Sequence, residues 1–125
     1  MEAISFNEAV ERLIKHDARY PAAAYFFVRD GLDYTVKRLK KGARGALRHV
    51  SGQELAEGLA AFALDEFGPM ANFTLATWNL HRTEDFGEIV FNLIEAGRFS
   101  KSESDRKEDF SSLFDLKAML SEPFL

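Results

Sequence analysis

Three histidines, His16, His49 and His81, are the side chains of this chain whose type best suits proton exchange or metal binding near neutral pH. His81, Asp85 and Glu88 stand at i, i+4 and i+7, which on one helix face would offer three ligands to a divalent metal. Thr83, however, reads as the cap of the helix that follows, so His81 lies outside it and the register breaks. The pattern reads more simply as an interhelix turn followed by acids that favour a helix N-terminus, and no metal is expected. His49 precedes Ser51 by two residues, a pairing that invites a nucleophile and its base. Ser51 has a competing role as a helix cap, and no Gly-x-Ser-x-Gly elbow surrounds it. His16 falls at a predicted helix C-terminus, where its positive form complements the dipole. Cysteine is absent, which removes thiol nucleophiles, thiolate metal sites and disulfides. There is no phosphate-binding loop and no Gly-x-Gly-x-x-Gly. No catalytic residue and no cofactor is assigned, and an enzyme built on His49 or His81 is the minority reading.

The second chemically uneven stretch is basic. Lys37, Arg38, Lys40, Lys41, Arg44 and Arg48 supply six cations, and no acid occurs between Asp33 and Glu54. Removing these six charges from the net −4 leaves −10 on the rest of the chain. Gly42 and Gly45 suggest a flexible loop, which could hold phosphates or an acidic protein surface. The stretch has no interleaved aromatics, so base stacking is disfavoured. The plainer alternative is a solvated loop that offsets acid elsewhere. A helix-turn-helix around His81-Arg82-Thr83 has suitable lengths. Its second helix would show Glu84, Asp85, Glu88 and Glu95 to solvent with no base between them, a surface that repels phosphate.

The elements that must position these residues are helical. Ser5 with Glu8 forms a capping box, and Phe6, Ala9, Val10, Leu13 and Ile14 follow at helical spacing to an end near His16. Pro21 opens a second helix reaching about Leu39, with Gly31 marking a kink or a close approach. Ser51 and Glu54 form a second capping box, with Val50 and Leu55 as a hydrophobic staple; Gly58, Ala60 and Ala61 leave room for a neighbour. Phe67 to Leu80 is a fourteen-residue run without charge, opened by Gly68-Pro69. Met70, Phe73, Thr77 and Leu80 recur at helical spacing, which predicts a buried helix at the centre of the domain. Thr83 caps a fifth helix stopped by Gly97. Beyond it, Phe110, Leu113, Phe114, Leu116, Met119 and Leu120 are apolar anchors of an irregular C-terminal segment, with room for a small hairpin near Phe99. The expected fold is all-α, a single compact domain spanning residues 1–125, with about five helices around the central one.

Composition sets the outer bounds. At 125 residues, with 46% hydrophobic residues and twelve Phe, one self-sufficient core is expected. The opening Met1-Glu2-Ala3-Ile4-Ser5 is acidic and lacks a long apolar run, so a cytoplasmic location without membrane association is expected.

Several stretches together carry a resemblance: Phe6 to Val10, Tyr20 to Asp33, His49 to Leu55, Phe67 to Ala71 and Asp85 to Leu93. Across nearly its whole length the chain resembles conserved uncharacterised proteins found mainly in planctomycetes and verrucomicrobia, some of which carry the unit in tandem. The resemblance implies a self-contained domain and supplies no activity. Missing catalytic motifs, abundant Phe and segregated charge favour a non-enzymatic module that binds a protein partner or self-associates. Binding of nucleic acid or another polyanion through residues 37–48 is the alternative.

Overall fold

The computed structural model describes residues 4–43, 50–99 and 105–125, the side chains of residues 40–43 excepted. Two of its helices start where a serine side chain satisfies a backbone donor that no helical partner reaches. Helix α1 (Phe6–His16) begins after Ser5, whose Oγ accepts the Glu8 N–H at 3.1 Å. Helix α3 (Gly52–Phe67) begins after Ser51, whose Oγ accepts the Glu54 N–H at 3.1 Å while Ser51 N–H donates to Glu54 Oε1 at 3.0 Å. Between them, α2 (Ala22–Ala43) follows Pro21 and continues past the expected end near Leu39, with Gly42 still helical. A 3₁₀ turn (Gly68–Met70) leads into α4 (Ala71–Thr77), and α5 (Thr83–Glu95) stops before Gly97 as expected. The C-terminal segment has a 3₁₀ turn (Lys107–Phe110), the short helix α6 (Leu116–Ser121) and a last 3₁₀ turn (Glu122–Phe124). The architecture is all-α. No strand occurs among the described residues, so the hairpin near Phe99 is not seen there.

The helix at the centre is α3, not the uncharged run. Leu55, Ala56, Gly58, Leu59, Ala60 and Ala63 are all buried, and α2, α4, α5 and α6 each touch α3. The predicted register of the uncharged run fails: Met70 is 54% and Phe73 64% exposed, and Thr77 is exposed as well. The side chains facing inward are instead Ala71 and Leu75. Leu80 is buried too, but not as a helical residue. Helix α4 ends in a left-handed turn at Asn79 (φ +63°), with Asn79 N–H bonded to Ala76 O at 3.0 Å and Leu80 N–H to Leu75 O at 2.9 Å. That reversal turns Leu80 back onto the core. Absence of charge did not mean burial, because uncharged side chains, large apolar ones included, also occur on protein surfaces.

Helices α2 and α3 cross at unusually short range. A Cβ on Gly31 would strike Leu59, and one on Gly58 would strike Thr35. Of the kink and the close approach left open at Gly31, the close approach is seen, and the room expected at Gly58 is likewise filled by the other helix. At one end of the crossing, Phe27 packs on Phe62 (ring centroids 5.4 Å apart), Phe67 (6.3 Å) and Trp78 (5.6 Å). Thr35, Arg38 and Leu39 meet Glu54, Glu57 and Gly58 at the other end.

Candidate functional site

The acidic side of α5 is not an open face. Asp85 Oδ2 accepts the backbone N–H of His81 at 2.8 Å and of Arg82 at 3.0 Å, and Asp85 Oδ1 accepts the Tyr20 hydroxyl at 2.7 Å. Asp85, the third helical residue, thus ties down the chain entering the helix. Arg82 holds the cap position and Thr83 is the first helical residue, which corrects the expectation that Thr83 caps it. The Thr83 side chain points inward, donating to Phe110 O at 2.7 Å and accepting from Leu113 N–H at 3.3 Å. Glu84 accepts from Ser112, by its N–H at 3.1 Å and its Oγ at 3.4 Å, which holds Ser112 at a positive φ of 48°. Glu88 receives Lys107 at 3.0 Å and Arg19 at 3.2 Å. Only Glu95 of the four acids remains exposed. Three of these carboxylates are engaged by the α1–α2 turn and the C-terminal segment, so the repulsive surface inferred from helical spacing is largely covered.

His81 is likewise placed for structure. Its ring is exposed, and Nε2 lies 3.1 Å from Asn79 Oδ1. Among the described residues no three metal-ligating side chains are close enough to hold an ion. His16 occupies the last turn of α1 as expected, and His49 lies outside the described residues.

A polar chain joins these groups to the core. Tyr25 is fully buried, and its hydroxyl accepts Asn92 Nδ2 at 2.9 Å; the same nitrogen donates to Asp17 Oδ2 at 3.0 Å. Arg19 grips Asp17 with contacts of 2.7 to 3.2 Å. The hydrogen bonds from Arg19 hold the Asp17 carboxyl well below the usual carboxylate range, against the opposing effect of burial. Burial works against ionisation of Glu88, but Lys107 and Arg19 outweigh it and its pKa is lowered. Glu84 is lowered by its own backbone N–H and by Ser112. Burial pushes the Tyr20 and Tyr25 hydroxyls upward, so both stay protonated.

Because Asp17, Glu84 and Glu88 ionise more readily when folded, the folded chain holds fewer protons than the unfolded one in acid. Their contribution is present above about pH 4 and is lost as pH falls below it. Asp17→Asn is expected to cost about 1–2 kcal/mol at pH 7, kept modest because Arg19 is half exposed. Urea titrations at several pH values should show this gap closing below about pH 4. A gap that stays constant with pH would remove the charge from the explanation.

The basic stretch is helical through Ala43, which corrects the loop expected at Gly42, while Gly45 lies outside the described residues. Lys37 and Arg38 are exposed on α2, and Lys40 and Lys41 continue that helix; Arg44 and Arg48 lie outside the described residues. Lys37 Nζ pairs with Asp33 at 3.0 Å, both side chains being largely exposed. The Arg38 guanidinium lies 5.5 Å from the centre of the Tyr34 ring and shares a groove with Glu54 and Glu57. Folding therefore supplies the acids that the linear stretch lacks.

Two concave regions stand apart from this network. A cavity of about 410 Å³ separates α2 from α5 and the start of α3, walled by Leu32, Val36, Leu55, Val90, Phe91 and Ile94. Arg98, also on its wall, donates to the Ile4 carbonyl at 2.5 Å, and His81 is not part of that wall. An open groove of about 510 Å³ runs along α6, lined by Phe114, Asp115, Ala118, Met119, Glu122 and Pro123. Helix α4, which follows Met70 and carries Phe73, touches α6, and Phe124 stands in the turn after α6; all three side chains are exposed. Asn72 Nδ2 donates to Ser121 Oγ at 3.3 Å, which ties α4 to α6 there.

Sequence reasoning missed this end because it sent Met70 and Phe73 to the core. The usable signal was Ala71 with Leu75 at i, i+4, an alternative register that leaves the two large side chains outside. Comparison of the chain with protein-family models, curated proteins and solved structures gave no match. No helix among the described residues is long and apolar enough to cross a membrane.

Proposed function

We propose that this chain is a non-enzymatic protein-interaction module whose partner docks on the end built by α4 and the C-terminal turns. The observation that carries the reading is the exposure of Met70 (54%), Phe73 (64%) and Phe124 (48%), large apolar side chains held on packed elements. Scattered apolar residues are ordinary on protein surfaces, but these sit on elements that adjoin α6, one side of which lines a groove. The expected tandem-bearing bacterial relatives fit a self-contained docking unit and add no activity.

A second reading, an anionic partner on Lys37, Arg38, Lys40, Lys41, Arg44 and Arg48, is supported by α2, which carries the first four within little more than one turn. The acids beside Lys37 and Arg38 weaken it. A photoreactive benzoylphenylalanine placed at residue 73 or at residue 38 in the native host separates the two. Discrete protein adducts are expected from residue 73, and Met70→Asp should remove them without shifting the melting temperature by more than about 3 °C. Adducts to nucleic acid from residue 38, with none from residue 73, would replace the first reading by the second.

A further inference from the structure

Resting on that docking reading, we infer that the groove along α6 accepts a cationic amphipathic helix of a partner protein, with Asp115 and Glu122 as the anchoring charges. The floor of the groove is apolar, made by Phe114, Ala118, Met119 and Pro123, while its two charged lining residues are both acids. Asp115 and Glu122 are exposed, and they stand seven residues apart. Along a helix that separation is about 10 Å, the distance between positions i and i+7 on a helix laid beside it. Cations at those two positions of the partner would bring its i+3 and i+4 side chains over Ala118 and Met119.

The acids have capacity for such a partner. Asp115 uses Oδ1 to accept the Ala118 N–H at 3.1 Å as the cap of α6, which leaves its second oxygen available. Glu122 forms no ion pair among the described residues. The one cation on α6, Lys117, projects from the side of the helix away from Asp115, Ala118, Met119 and Glu122. An apolar floor supplies affinity, and rim charges of one sign select a partner of the other. Acidic or polar helices are thereby disfavoured.

The test titrates the full chain with two fluorescent helix-forming peptides, both with Leu at i+3 and i+4. One carries Lys at i and i+7, and the other carries Glu. The Lys peptide is expected to bind about tenfold more tightly, the combined effect of two exposed ion pairs, with the preference fading at high salt. Asp115→Asn with Glu122→Gln keeps a capping side chain on α6 and should bring the two peptides within about threefold of each other. Equal affinity of both peptides for the unmodified chain would overturn the charge assignment while leaving the docking surface in place. Binding of neither peptide, alongside protein adducts from residue 73, would overturn this inference and leave the proposed function standing. Light scattering that shows a dimer dispersed by Glu122→Lys would assign the groove to a second copy of the chain, and would equally overturn it.

Discussion

Gly58→Ala is expected to destabilise the protein by about 2–3 kcal/mol and to lower its melting temperature by roughly 10 °C. The sign is the informative part. In an exposed helix the same change would stabilise by about 1 kcal/mol, because Ala is the better helix former. Here a Cβ would sit 2.7 Å from Thr35 Cγ2 and 2.8 Å from Thr35 Cβ, and closer still to the hydroxyl. Thr35 cannot turn away freely, since its Oγ1 donates to Gly31 O at 2.7 Å and the residue is 3% exposed. Its Cβ moves only with the α2 backbone, and α2 is pinned a turn earlier where Gly31 meets Leu59. Relief therefore requires separating the two helices at the middle of the core. Adding Thr35→Ala should recover part of the loss, because it deletes Cγ2 and Oγ1 but keeps Cβ. A Gly58→Ala protein that melts at or above the parent temperature would show that the helices do not cross this closely.

Thr83→Val is expected to cost about 2–4 kcal/mol although the two side chains have nearly the same shape. Thr83 is 1% exposed, and its hydroxyl both donates to Phe110 O and accepts from Leu113 N–H. Val leaves a carbonyl and an N–H facing an apolar group, and each unmatched backbone group costs about 1–3 kcal/mol. The damage should appear first in the C-terminal segment. Phe110 is held against Gly87, where an added Cβ would lie 2.9 Å from Phe110 Cβ, and Glu84 steadies Ser112 alongside. Trypsin cleavage at Lys107 and Lys117 should accelerate in the Val variant before the rest of the chain is attacked. Thr83→Ser keeps the hydroxyl and should lose only about 1 kcal/mol, the worth of one methyl. Equal stability of the Val and Ser variants would eliminate the hydrogen bonds as the latch.

The candidate docking end shows how far sequence reading reaches. Phe114 and Met119 were legible as apolar anchors, and both are half-buried against the core cluster while also lining the groove. Met70 and Phe73 were read at the right helical period but in the wrong phase. Periodicity in a seven-residue helix offers too few turns to choose between adjacent registers, so the stop at Asn79 decided what faced inward. The acidic face of α5 was grouped correctly on the helix. Its accessibility depended on Arg19 and Lys107, which are remote in the chain.

What the chain determined by itself was local: the starts at Ser5 and Ser51, the stop at Gly97, the amphipathic stripe of α1, and the room for a neighbour at Gly58. Each follows from hydrogen bonds or steric limits within a few residues. Only the tertiary structure decided that α3 is central, that the uncharged run is half exposed, that three of the four acids of α5 are engaged, and that Arg38 of α2 shares a groove with Glu54 and Glu57. Burial and charge pairing depend on which distant segment covers a face, and helical spacing specifies the face without naming its cover.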